Sequence, residues 1–370
     1  MNTPAGTAPG LIWVEPALES PSGGQLYNRH VVDGLRDSGM EVRVVAADGA
    51  WPRPSEEQRR VVWNQLEISR LDMPGAPVVI DGLIGGCMPE LFTRLPDGGS
   101  TVLLVHLPLA ADAEHHDPHQ ENPRADSSDL AHLEAQAVSF ADRVVATSNW
   151  AAEDLKARHG RAEIDVVVPG VHTGVRAEVD TGVHTERLAS APLRLTVAAS
   201  ITPRKNHRLL GAALAGLQHH DWVLQLAGPG AGSGYGADVL AGLRHDLPDR
   251  VHHLGSLPPQ DMAGLWARTD LLLLPSWAET YGMVVIEACA HGVPAVVSSG
   301  TGAVEALGEA GAAADPAEPQ QWTLLLETWM QDPALRAHWA DLARRRAGRL
   351  PSWTQTADRW MTLLASLPTG

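Results

Sequence analysis

Residues 270–305 read DLLLLPSWAETYGMVVIEACAHGVPAVVSSGTGAVE. Leu271–Leu274 is a short apolar run stopped by Pro275, the pattern of a strand buried on both faces of a parallel sheet. A loop at 276–282 follows, carrying one acid, Glu279. Met283–Ala290 has helical length and is apolar on every side except at Glu287. Gly292 stands where a helix C-terminus favours glycine. Residues 294–298 form a second buried strand, and Gly300-Thr301-Gly302 turns the chain. This strand–loop–helix–strand rhythm is that of an α/β domain with a parallel sheet.

Glu287 is the residue this pattern does not explain. A helix without a polar face is a buried helix, and a carboxylate on it needs a partner because an unpaired buried charge is costly. Two readings stand side by side. Glu287 is structural, bonded to a backbone group or an arginine, or it grips the hydroxyls of a ligand at the C-terminal edge of the sheet, where open α/β sheets place ligands. Glu279 stands in the loop at that same edge. The amides of 281–284 open the helix between the two acids, and a free helix N-terminus suits an anion.

Glu279 and Glu287 have the E-x7-E spacing of retaining glycosyltransferases with the GT-B fold, and PSWAETYGMVVIEACAHGVPAVVSS resembles the donor-sugar signature of glycosyltransferase family 4. The resemblance implies two Rossmann-like domains with parallel sheets facing a central cleft. It also implies a nucleoside-diphosphate-sugar donor, with a UDP- or GDP-sugar as the form, and retention at the anomeric carbon. In it Glu279 holds sugar hydroxyls and braces the developing cation, Glu287 holds the ribose diol, and Thr280, Tyr281, Gly282, Met283 and Val284 line the donor.

Composition agrees with a two-domain protein. There are 370 residues, with 35 Gly and 27 Pro spread along the chain, which implies many short loops and ample core. Cys87 and Cys289 lie in apolar contexts and read as reduced core thiols, pointing to the cytoplasm. The net charge is −16 and Lys occurs only at Lys156 and Lys205, which excludes a nucleic-acid footprint. No run approaches the length of a membrane span. The first ten residues lack the basic and apolar regions of a signal peptide.

Residues 11–14 (LIWV) read as the first strand. Gly23-Gly24 precedes the helical pattern of Leu26, His30, Val31 and Leu35; it is either a plain turn or a backbone cradle for phosphate. The resemblance favours the cradle, as a Gly-rich loop facing the donor. Strands are expected at 41–45, 78–80 and Thr101–Val105. His106 follows the last of these at a strand end, and it resembles the family's histidine that bonds the donor sugar. The loop at 112–129 holds His115, His116 and His119 at spacings that match no standard zinc pattern, so it reads as a solvated loop. Asp129 is a candidate cap for a helix over 130–141, and Ser148 for one from Asn149 to about His159.

Residues 173–191 are polar and aperiodic, the expected linker. It separates an acceptor-binding domain at 1–180 from a donor-binding domain at 181–350, with 351–370 forming a helix that returns to the first domain. Trp353 and Trp360 are the anchors expected for that return. Residues 193–199 open the second domain, and TPRKN follows. Arg204 and Lys205 in a strand-to-helix loop can neutralise a diphosphate leaving group, and TPRKN resembles the family's phosphate-binding segment. Ser200 departs from the family, which commonly carries another arginine there. Gly255, at the end of a strand over Val251–Gly255, stands where family members hold the base. The Gly tract after Trp222–Ala227 has the wrong spacing for a dinucleotide fingerprint.

The expected reaction is transfer of a hexosyl group to a soluble small-molecule or saccharide acceptor. Catalysis falls to Glu279, His106, Arg204 and Lys205, with no metal and no cofactor beyond the sugar donor. No stable membrane association is expected, and the oligomeric state stays open. A nucleotide-sugar epimerase on the same fold, a transferase acting on a lipid-linked acceptor and a non-catalytic nucleotide-binding protein are the alternatives.

Overall fold

The computed structural model describes residues 10–18, 22–93, 99–109, 111, 123–172, 192–232 and 234–368. The expected linker at 173–191 and the histidines of the 112–129 loop lie outside the described residues. The chain divides into two compact units. One comprises the described residues up to Gly170 together with those from Pro351 on, and the other is Val171–Leu350.

The first unit is built on a parallel sheet of six strands: β1 (Gly10–Pro16), β2 (Glu41–Ala47), β3 (Val78–Asp81), β4 (Thr101–Val105), β5 (Arg143–Ala146) and β6 (Asp165–Val166), in the order β2-β1-β3-β4-β5-β6. Near-continuous apolar runs such as TVLLV are wholly buried, as strands covered by helices on both faces must be. Two helices of this unit differ from the expectation. A helix at Glu56–Asp72, with a Ser55/Gln58 capping box, joins β2 to β3; only four of its residues are buried, so its apolar stripe is faint. The helix before β5 spans Pro123–Phe140, so Asp129 lies inside it rather than capping it. Ser148 does cap its helix, accepting from the Ala151 amide at 2.9 Å.

The C-terminal helix, Trp353–Ala365, belongs to this unit and packs against the helix Gly23–Asp37. Trp360 is fully buried. Its indole Nε1 donates to the Tyr27 hydroxyl at 2.8 Å, and its ring meets Trp13 edge-on at 5.3 Å. The Tyr27 hydroxyl in turn donates to the Val167 carbonyl at 2.8 Å. Trp353 stacks on His30 at 4.4 Å between ring centres.

The second unit has β7 (Leu193–Ala198), β8 (Trp222–Ala227), β9 (Val251–Gly255), β10 (Leu271–Leu274), β11 (Ala295–Ser298) and β12 (Gly311–Ala314), parallel and in the order β12-β11-β10-β7-β8-β9. Counted within the unit this is the doubly wound order 3-2-1-4-5-6. All four leucines of β10 are at 0% exposure, each contributing about 1.5–3 kcal/mol of apolar burial. The chain crosses to opposite sides of the sheet after β7 and after β10, which are neighbours. Their C-terminal ends therefore flank the crevice where such folds hold ligands. The first sheet has its own switch point between β1 and β3.

Candidate active site

The loops leaving β7 and β10 carry the residues singled out in the sequence. Arg204 and Lys205 form a single 3-10 turn, Pro203–Lys205, closed by Asn206 in a left-handed conformation. Two contacts fasten this turn to the β10 loop: the Trp277 amide donates to the Arg204 carbonyl at 2.8 Å, and the Arg204 guanidinium donates to the Ala278 carbonyl at 2.8 Å. The Lys205 ammonium bonds Glu279 Oε1 directly. The Ser276 hydroxyl donates to that oxygen at 2.9 Å, and Arg204 Nη1 lies 3.7 Å from it. Glu279 is 8% exposed. Burial alone would raise its carboxyl, but Lys205 and Arg204, with the hydrogen bonds from Lys205 and Ser276, outweigh that and hold it below the ordinary carboxylate range. It is an ionised carboxylate at neutral pH, with all these partners on one oxygen.

A close approach by glycine completes the loop. The Gly302 amide donates to the Glu279 carbonyl at 2.7 Å, and a Cβ at Gly302 would stand 1.9 Å from the Thr280 carbonyl oxygen. Gly282, at φ 84°, turns the chain into the helix Met283–Ala290, which has no side-chain cap. The first amide of that turn to find a backbone carbonyl is Val285, bonded to Gly282 at 2.9 Å. Amides at such a helix start are presented to an anion.

Of the two readings of Glu287, the one that partners it inside the protein can be checked directly against the structure. Among the described residues no hydrogen bond or ion pair reaches it. Val285, Ile286, Ala288 and Cys289 around it are buried, Glu287 itself is only partly exposed, and burial with no compensating charge pushes its carboxyl up to about 7. The structural reading, a carboxylate bonded to a backbone group or an arginine, is not what the fold contains. Gly255 ends β9 at φ 71°, and its carbonyl accepts from the Gly228 amide at 2.8 Å.

Gly23, Gly24 and His106 belong to the first unit. Gly23 and Gly24 do not precede the helix; they are its first turn, capped by Ser22. Gly24 makes room for His106, because a Cβ there would lie 2.9 Å from the imidazole ring. His106 Nε2 donates to Asn28 Oδ1 at 2.7 Å, Asn28 Nδ2 donates to Asp81 Oδ2 at 2.8 Å, and His106 Nε2 stands 3.5 Å from Asp81. Burial lowers the imidazole pKa against the opposing pull of Asp81, so the ring is neutral at pH 7. Glu15, at the end of β1, joins this group; burial, then the charge of Asp81, raises its carboxyl.

Asn28, Asp81, Glu15 and Ser276 were missed in the sequence. Asn28 carried a signal, since it interrupts the stripe of Tyr27, Val31, Val32 and Leu35 as Glu287 interrupts its own helix. Beside Lys205, His207 is fully buried with neither ring nitrogen hydrogen-bonded. Burial, with Lys205 adding to it, takes its pKa down to about 3.

Both halves of the chain match known family models. Residues 22–170 match the glycosyl transferase 4-like domain and residues 186–346 match glycosyl transferases group 1. A D-inositol 3-phosphate glycosyltransferase of Rhodococcus opacus (strain B4) is 32% identical over 239 residues, 61% of this chain and 53% of that protein. The chain thus spans about half the length of the curated relatives it matches. Among solved structures, a sucrose-phosphate synthase from Thermosynechococcus elongatus superposes with TM-score 0.81 at 19% identity, covering 97% of this chain and 98% of that one. Anabaena Alr3699/HepE in complex with UDP-glucose does so with TM-score 0.75 at 18% identity, covering 97% and 100%. These likenesses establish the GT-B fold.

Proposed function

We propose that this chain, a family 4-like glycosyltransferase in both of its halves, is a retaining enzyme that moves a hexosyl group from a UDP- or GDP-sugar to a soluble small-molecule or saccharide acceptor. The observation that carries this reading is the meeting of Arg204, Lys205 and Glu279 at the β7/β10 switch point. Departure of a nucleoside diphosphate builds negative charge. Two cations and an open helix start stabilise that charge where it forms, the largest kind of catalytic contribution. In this reading Glu279 uses its other oxygen on the sugar hydroxyls, and its depressed pKa keeps it charged beside the developing oxocarbenium. Glu287, without a hydrogen-bond or ion-pair partner among the described residues, takes the ribose diol. The charge-neutralising work falls to Arg204 and Lys205, so the reaction runs without a divalent metal.

His106 is the first unit's catalytic histidine. Its Nε2–H is committed to Asn28, which fixes the tautomer and the ring. The UDP-glucose in the Anabaena structure favours UDP over GDP for the donor. Buried free thiols at Cys87 and Cys289 suit a cytoplasmic setting.

A panel of UDP- and GDP-sugars with sugar and natural-product acceptors tests the proposal. The expected result is acceptor-dependent release of the nucleoside diphosphate, with a product of the donor's anomeric configuration. An inverted product would overturn retention. Turnover of donor alone to an epimeric sugar would replace transfer with epimerisation.

A further inference from the structure

We propose that His219, His220 and Glu327 form a divalent-metal site on the second unit, apart from the donor site. One ligand atom from each residue can be chosen so that all three lie within 4.8 Å of one another. His219 Nε2 is 3.7 Å from Glu327 Oε1, and the two imidazole rings are 4.1 Å apart. His220 Nε2 is buried without a hydrogen-bond partner. An unsatisfied buried nitrogen costs free energy that a metal bond removes.

The surroundings are built rather than accidental. The two histidines sit in the turn between the helix Arg208–Ala215 and β8. Arg250 clamps that turn by donating to the carbonyls of Gln218, His220 and Trp222 at 2.8–3.0 Å, with its guanidinium over the Trp222 ring at 4.7 Å. The helix Pro319–Gln331 presents Glu327. It is tied to the Arg208–Ala215 helix where the Thr323 hydroxyl donates to the Ala213 carbonyl at 2.8 Å, one turn before Glu327. Gln331 donates to Glu327 Oε1 at 3.2 Å, the outer-sphere contact that orients a ligating carboxylate.

Two imidazoles and one carboxylate select a borderline cation, Zn²⁺ first, over Mg²⁺ or Ca²⁺, which prefer oxygen alone. Three protein ligands leave the fourth tetrahedral position to water. Bonds of about 2.1 Å need ligand atoms roughly 3.4 Å apart, which rotation of the exposed His219 and the partly exposed Glu327 supplies. The site precedes β8, at the N-terminal edge of the sheet, whereas Arg204, Lys205 and Glu279 follow the C-terminal ends of β7 and β10. Its role is a staple between the turn and the helix, not chemistry on the sugar.

The test is a calorimetric titration of zinc chloride into the metal-free full chain carrying His115→Ala, His116→Ala and His119→Ala, which removes the three histidines close in sequence in the 112–129 stretch. One equivalent should bind, and Co²⁺ in its place should give the intense visible absorption of a tetrahedral ion. Adding His219→Ala, His220→Ala or Glu327→Gln should each weaken zinc by more than the roughly 10–100-fold typical of outer-sphere losses. His219 and Glu327 are exposed enough for replacement without unfolding. Absence of zinc binding in the His115/His116/His119 background, or binding that survives His219→Ala with Glu327→Gln, would overturn the proposal.

Discussion

The proposed function gives Glu287 and Lys205 different tasks, and their replacements separate them. The Glu287 carboxyl, ordinarily at 4.5, is pushed up to about 7 in the fold. Between those values the folded chain keeps a proton that the unfolded chain releases, so this residue's contribution to stability falls as pH rises through the window. Glu287→Gln mimics the protonated form and removes that loss. In chemical denaturation the variant should match the parent near pH 5 and exceed it by roughly 1–3 kcal/mol at pH 8. The gain should come with weaker nucleotide binding, as expected of a group placed for a ligand at the expense of stability. Equal pH profiles for parent and variant would contradict the apolar surroundings assigned to Glu287. Lys205→Ala should cost about 2–4 kcal/mol in kcat/KM, the range for one lost oxyanion donor. Normal turnover in steady-state assays would remove Lys205 from the leaving-group site.

At the scale of elements, the C-terminal helix closes the first unit by packing on the helix Gly23–Asp37. Trp360 fills the space between Trp13 and Tyr27 and donates to the tyrosine hydroxyl. Trp360→Ala should therefore destabilise the chain by about 3–5 kcal/mol, measured by circular dichroism in urea. A loss under about 1 kcal/mol would mean the helix is ornamental. The β10–β11 segment was legible because its buried strands have no polar alternation and its helix has a single polar residue. Arg204-Lys205 was legible because lysine is so scarce. The helix Glu56–Asp72 was not, since few of its positions are buried. The Asn28–Asp81–His106 chain was not either, because it joins a helix residue, the end of β3 and the turn after β4, which only the β2-β1-β3-β4 order brings together. Gly24 was read as part of a phosphate cradle; the structure adds that a side chain there would meet the His106 ring, a long-range contact that no local pattern shows.

Across the whole molecule, the charge distribution and the two switch points lead to one picture. Among the described residues no helix is long and apolar enough to cross a membrane. A net charge of −16 repels anionic lipid, which attracts basic clusters at about 1 kcal/mol per residue. Co-sedimentation with anionic vesicles at physiological salt should leave the protein in the supernatant; strong binding would point instead to a lipid-linked acceptor. Transfer should persist in EDTA, because Arg204 and Lys205 supply the positive charge; loss restored by Mn²⁺ or Mg²⁺ would refute that. In the proposed function the second unit holds a nucleoside diphosphate through Arg204, Lys205 and Glu287, with Glu279 reserved for the sugar. Calorimetric titration of UDP and GDP into the parent, Lys205→Ala, Glu287→Gln and Glu279→Gln checks this. One nucleotide should bind at a 1:1 ratio, weaken with the first two changes and stay nearly unchanged with the third. Absence of binding by either nucleotide, or equal losses from Glu287→Gln and Glu279→Gln, would contradict it.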